Sequence, residues 1–354
     1  MSVTDQSQTT STTALNNRRW IYSTRPAAEV SVNNYRLEEQ ALDTELANNE
    51  VLIANRYISV DPYMRIQQSA KNNWEAPHPL NTLQQAGVVA QVVSSRSELF
   101  RPGDWVTAYT GWELFSKVHQ NALLKLDPAM APVTTALGVL GMPGRTAWFG
   151  FNDAGKPKPG DTVVVSGAAG AVGSLVVQFA KLAGCRVIGI CGSNDKCDWL
   201  TKELGADAAI NYREHSTTDA LQSKLAEFSG VDIYFDNIGG WITDAVVPLI
   251  NRRARIVICG QMSQYNGQLD QPELGPRLLH HMLYQRATIQ GILARDFNHR
   301  MDEMVGQVAP WVADGSIKFE QTVVEGFENL PETLAGLLSS RNRGKVLVKV
   351  SEAV

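Results

Sequence analysis

Between Asp161 and Gly291 the chain repeats one pattern: a short apolar run, a turn, an amphipathic stretch, then the next apolar run. The runs are "TVVVSG", "CRVIGICG", "ADAAINYR", "GVDIYFDNIGG", "RARIVICG" and "ATIQGILA", with stretches such as "AVGSLVVQFAKLAG" and "DKCDWLTKELG" between them. Strands that alternate with helices pair in parallel, because each crossover returns the chain to the same end of the sheet. Unbroken apolar runs such as "TVVVSG" fit strands covered on both faces. The pattern therefore predicts an α/β fold with a doubly wound parallel sheet.

The rest of the chain has another texture. From Arg18 to about Pro132, "EVLIANRYISVDPYMR", "AGVVAQVVSS" and "GDWVTAYTGWELFSKV" are β-branched and aromatic runs punctuated by Gly, Pro and Asn, which predicts a β-rich domain. The last run, "GKVLVKV", is a strand that needs a partner outside the parallel sheet, so the C-terminus is expected back in the first domain. The expected boundaries are a flexible polar tail over 1–17, a β-rich domain from 18–133 and 316–354, and a parallel-sheet domain over 134–315. A length of 354 residues accommodates this division. The net charge of −4 gives no basis for nucleic-acid binding. No apolar run approaches the roughly 18 residues of a membrane span, and the polar N-terminus does not read as a secretory signal. Cys185, Cys191, Cys197 and Cys259 lack framework spacing and read as reduced thiols of a cytoplasmic protein.

"TVVVSGAAGAVGSLVVQFAKLAG" is strand, tight turn, helix. Gly170 and Gly173 occupy the second and third glycine positions of a dinucleotide-binding fingerprint, with Ala168 in the first. Such a loop aims a helix N-terminus at a pyrophosphate and needs positions without a Cβ where the backbone approaches it. The cradle is expected from Ala169, Gly170, Ala171, Val172 and Gly173.

"ICGSNDKC" closes the second strand of this series. An acidic residue there would hold a free ribose 2′-hydroxyl and repel a 2′-phosphate. Cys191, Gly192 and Ser193 stand in its place, with Lys196 beyond, which favours the phosphorylated cofactor, NADPH. Ser193 can donate to the same phosphate, and Tyr212 can add a hydroxyl or stack on the adenine. The competing reading is a plain helix start, with Ser193 as cap and Lys196 solvated.

Other motifs lead nowhere. "GFNDAGKP" lacks the terminal Ser or Thr of a P-loop and follows a helical segment. The histidines show no H-E-x-x-H spacing and no G-x-S-x-G elbow is present, so neither a zinc site nor the usual hydrolase is expected.

Taken together, "SVDPYMR", "GMPGRTAWFG", "SGAAGAVGS", "CGSNDK", "FDNIGG", "CGQMSQYN" and "NRGKVLVKV" resemble the zinc-independent medium-chain dehydrogenase/reductases. The subgroup is that of leukotriene B4 12-hydroxydehydrogenase/15-oxo-prostaglandin 13-reductase and bacterial NADPH-dependent curcumin reductase. The resemblance runs from about Arg18 to Val350. It implies a Rossmann domain inserted into a GroES-like domain, an active cleft at their junction, no metal, and a homodimer paired through "ATIQGILA". It implies Met142 and Thr146 beside the nicotinamide, Asn237 and Asn342 in the cofactor cleft, Lys196 and Tyr212 on the 2′-phosphate, and Cys259 and Gly260 along the cofactor. Tyr265 would lie near the nicotinamide ribose and substrate carbonyl, with Tyr63 on the cleft wall.

The implied activity is NADPH-dependent reduction of the C=C bond of an α,β-unsaturated carbonyl compound. Hydride goes to the β-carbon, Tyr265 and the ribose hydroxyl stabilise the enolate, and solvent or a relay protonates the α-carbon. Trp74, Trp112, Tyr63 and Met262 are candidate walls for a small hydrophobic enone. Quinone reduction on the same fold and a non-enzymatic NADPH-binding protein are the alternatives.

Overall fold

A computed structural model describes residues 15–71, 75–266, 269, 271, 274–339 and 342–350. Among them, six strands form an all-parallel sheet: Thr162–Ser166, Arg186–Cys191, Ala208–Asn211, Val231–Asp236, Ile250–Ile258 and Thr288–Gly291. In chain order their arrangement across the sheet is third, second, first, fourth, fifth, sixth. That is the doubly wound order, whose direction of winding reverses between the first and fourth strands.

The alternation of side chains explains why these runs need cover on both faces. Val163 and Val165 enter one core with Val187, Cys191, Ile233 and Phe235. Val164 enters the opposite core with Ile188, Ile190 and Tyr234. Period-two geometry on a strand apolar at every position produces two hydrophobic faces, and each is met by helices. Gly173–Leu182 and Met301–Ala313 cover the first face, Thr218–Ala226 and Gly240–Val246 the second.

The β-rich part centres on Glu50–Ser59, which pairs antiparallel with Gly87–Ser95 and with Phe115–His119. The C-terminal strand Lys345–Lys349 pairs antiparallel with the far end of Glu50–Ser59, on the edge shared with Phe115–His119 and opposite Gly87–Ser95, and carries Gln321–Glu325 in parallel. The chain's end therefore does return to the first part's sheet.

Two sequence readings change. The first strand spans Asn16–Tyr22, so it begins inside the stretch read as tail. The cause is Asn17, whose buried side chain donates to Phe115 O at 2.8 Å and accepts from the Leu114 and Phe115 N–H groups at 3.1 and 3.0 Å. Residues 1–14 of that tail lie outside the described residues, as does Trp74. Trp112 is no cleft wall: it is fully buried in the β-rich core with its ring 5.0 Å from Tyr35.

Candidate active site

Every loop that leaves the carboxyl end of the parallel sheet contributes to one rim, where ligands of doubly wound sheets bind. After the first strand the chain turns through Gly167, Ala168, Ala169 and Gly170 into the helix Gly173–Leu182. The left-handed position falls on Gly167, at φ +58°, one residue before the Ala168 that the fingerprint alignment pointed to. A Cβ on Gly173 would sit 2.4 Å from Gly167 O, so only glycine lets the helix start this close to the turn. Val172 is the residue before that helix, and Ala171 faces Ser174 and Lys345 in a small gap. This loop, closed on itself and opening onto a helix N-terminus, fits a pyrophosphate.

After the second strand come Cys191, Gly192 and Ser193. The Ser193 hydroxyl caps the helix Asn194–Lys202, accepting the Lys196 N–H at 3.4 Å. Its oxygen thus does the capping work of the competing reading, while the O–H proton stays available to a phosphate. Tyr212, after the third strand, packs on the open face of Gly192, where a Cβ would meet the phenol oxygen at 3.1 Å. The Tyr212 ring stands edge-on to Trp241 at 6.1 Å. Lys196 is half-buried, and burial lowers the pKa of its ammonium.

The fourth and fifth strands end beside each other. Asn237 donates from its backbone to Ser166 Oγ at 2.9 Å and from its side chain to Ser166 O at 2.7 Å, which ties it to the first strand. Cys259 and Gly260 N–H groups donate to Asp236 O at 2.8 and 3.2 Å. A single turn, Met262–Tyr265, then brings the Tyr265 hydroxyl back to accept the Gln261 N–H at 3.1 Å. The same oxygen lies 3.2 Å from a Cβ position on Gly260. Burial pushes the Tyr265 phenol up to about 12, opposed by the Gln261 N–H and aided by Cys259 and Asp236. Because it accepts that N–H, Tyr265 keeps its own proton to donate.

Met142 and Thr146 occupy one face of the helix Met142–Phe149, with Thr146 Oγ1 donating to Met142 O at 2.8 Å. Asn342 donates to Gly344 O at 3.2 Å, and the Gly344 N–H donates to Ala169 O at 2.9 Å, joining the C-terminal strand to the glycine loop. Tyr63 belongs to a separate cluster at the start of Tyr63–Gln67. There burial first, then Asp61 and Tyr109, hold its phenol well above the ordinary tyrosine range.

Two buried polar groups that organise this region escaped the sequence reading. Asp236 is buried and accepts from Ser166 Oγ (2.8 Å), Tyr234 (2.9 Å), Thr243 (2.5 Å) and the Ile238 and Gly239 N–H groups (3.0 and 2.9 Å). It fixes the loop that carries Asn237. Its signal was an acid ending the apolar strand "VDIYFD". The buried pair Lys345–Asp61, at 3.0 Å, is the second, and Lys345 also donates to Val60 O and Val346 O at 2.9 and 2.8 Å. Nothing in the local sequence links these two residues.

Residues 18–126 match a family model described as the N-terminal domain of oxidoreductase, and residues 171–310 one described as zinc-binding dehydrogenase. The NADPH-dependent curcumin reductase of Escherichia coli is 39% identical over 95% of this chain and 97% of its own. The chain belongs to the zinc-independent medium-chain dehydrogenase/reductases. Within that family, prostaglandin reductase 1 of Mus musculus is 40% identical over 86% of this chain and 90% of its own. The structure of CurA in complex with NADPH from Vibrio vulnificus superposes with a TM-score of 0.88 at 38% identity, covering 95% of this chain and 100% of that one. Although one family description names zinc, no group of three or more His, Cys, Asp or Glu side chains is gathered for a metal among the described residues.

Proposed function

We infer that the protein is an NADPH-dependent reductase of the C=C bond of α,β-unsaturated carbonyl compounds. The observation that carries the reading is the Tyr265 hydroxyl, set against Gly260 at the carboxyl rim of the parallel sheet and aligned by the Gln261 N–H. NADPH, when bound, supplies the hydride that reduces the β-carbon. Reduction there leaves charge on the carbonyl oxygen, and the protein's task is to hold that charge without a metal. Tyr265 suits this: burial keeps it protonated, and its hydrogen bond strengthens as charge grows on the acceptor. Tyr63, likewise kept neutral, would line the cleft from its own cluster at the edge of the β-rich core.

For the cofactor, the glycine loop would hold the pyrophosphate, Lys196, Ser193 and Tyr212 the 2′-phosphate end, and Met142, Thr146, Asn237, Cys259, Gly260 and Asn342 the nicotinamide half. We place the domain divisions near 133/134 and 315/316. A homodimer is supported by the edge strand Thr288–Gly291, exposed at every position, beside exposed Leu279, Leu283, Tyr284 and Ile289. Four free cysteines support a cytoplasmic location. No described helix is long and apolar enough to cross a membrane.

Steady-state NADPH oxidation against a panel of enones, alkenals and quinones tests the activity. Saturable turnover of hydrophobic enones, with the saturated ketone as product, is expected. Turnover of quinones alone would replace this reading by the quinone one.

A further inference from the structure

Arg343 lies between two elements that the cofactor must touch together. Its neighbour Gly344 is bridged to Gly170, so the Arg343 backbone is fixed one residue from the glycine loop. That position is closed to other residues: Gly344 has φ +65°, and a Cβ there would lie 2.1 Å from Glu320 O. From this anchor the side chain reaches the helix Asn194–Lys202, its guanidinium carbon 5.1 Å from the centre of the Trp199 ring. Trp199 stands three residues after Lys196, which puts the two on neighbouring turns of the same helix face.

A third cation approaches from the sheet. Arg213 follows Tyr212 and is exposed, and among the described residues its side chain makes no hydrogen bond or ion pair. Lys196 feels both guanidinium groups: after burial, and against an opposing pull from Cys191, Arg213 and Arg343 each lower its pKa. Two of the nearby acids are engaged elsewhere, and Asp195 stands in the first turn of the helix beside Lys196. Glu214 accepts from Asn194 at 2.6 Å and Asn211 at 3.4 Å, and Asp198 pairs with Lys202 at 2.9 Å. Arg343 itself pairs with Glu320 at 2.7 Å, but both groups are half-exposed, and such pairs are weakly held.

We propose that Arg343 and Arg213 complete, with Lys196, a three-cation grip on the 2′-phosphate of NADPH, Arg343 exchanging Glu320 for the phosphate. This rests on the NADPH reading above and goes beyond it. Cofactor selection would not be confined to the strand–helix turn where such folds read the ribose. It would draw on the C-terminal segment, so that phosphate binding also ties the two parts of the molecule together. Arginine suits the position because its planar fork stacks on Trp199 while presenting donors to phosphate oxygens.

Calorimetric binding of 2′,5′-ADP and of ADP to the full chain tests this without turnover. Arg343→Gln should weaken 2′,5′-ADP about tenfold or more and change ADP by less than about twofold. Arg343→Lys should recover part of the loss, and Glu320→Gln, which removes the competing acid, should tighten 2′,5′-ADP alone. Arg213→Gln should cost about two- to fivefold, as expected for a more exposed charge. Lys196→Ala serves as the reference for a lost phosphate contact. If Arg343→Gln weakens both ligands equally, or neither while Lys196→Ala remains selective, the grip lacks Arg343 and the proposal falls. If the unaltered protein binds both ligands equally, the NADPH reading falls with it.

Discussion

At the scale of single residues, Tyr265 carries the sharpest expectation. Tyr265→Phe keeps the ring and removes the hydroxyl proposed to donate to the developing oxyanion. The cofactor ribose hydroxyl remains as a second donor, so kcat should fall about 10- to 100-fold, at or below the low end for an oxyanion donor, with NADPH affinity nearly unchanged. Near-normal kcat with a confirmed enone would reduce Tyr265 to a packing residue. The phenol's pKa of about 12 adds a pH expectation. A tyrosine donates only below its pKa, and the shift is upward, so kcat should show no loss from this group as pH rises to about 9. Lys345 makes a different point. Its ammonium and the Asp61 carboxylate are both buried, so Lys345→Met would strand a buried charge and cost about 3–5 kcal/mol in denaturant unfolding. The double variant Lys345→Met with Asp61→Leu should recover much of that. Equal losses in both variants would mean the pair contributes through packing alone.

At the scale of elements, the glycine loop shows how close approach selects sequence. Gly173→Ala places a Cβ against backbone atoms at 2.4 and 2.8 Å, and backbone cannot swing aside as a side chain can. The expected cost is about 1–3 kcal/mol of stability, with weaker NADPH binding because the cradle must shift. Gly306, exposed within Met301–Ala313, has nothing within 4 Å of an added Cβ. Gly306→Ala should stabilise by about 0.5–1 kcal/mol by the helix propensity difference alone. Thermal unfolding of the two variants separates a glycine fixed by contact from one that is not. The fingerprint marked Gly173 as a position without a Cβ; only the structure shows that the atoms in the way are Gly167 O and Ala168 Cα, and that Gly306 faces open space.

At the scale of the whole molecule, the expected dimer rests on an exposed edge strand and the apolar side chains next to it. Ile289→Glu combined with Leu283→Glu should give a monomer by light scattering, with the fold retained in circular dichroism. An unchanged dimer would place the interface elsewhere. Exhaustive dialysis against a strong chelator should leave activity and unfolding midpoint intact, because no donor cluster among the described residues would lose a bound metal. Activity that vanishes and returns with zinc would overturn that expectation.

The sequence alone determined the doubly wound sheet and its glycine-bearing loop, and it raised the expectation of a lysine at the 2′-phosphate end. Those features are local: a strand apolar at every position, a turn with glycines spaced among small residues, a lysine where an acid would repel phosphate. Only the tertiary structure decided that the left-handed turn residue is Gly167, that Asn17 draws the first strand back to Asn16, and that Trp112 belongs to a core. It alone joined Lys345 to Asp61 and brought Arg343 over Trp199. Each of these is a contact between segments far apart in the chain, chosen by packing and burial, and periodicity within one segment holds no record of its distant partner.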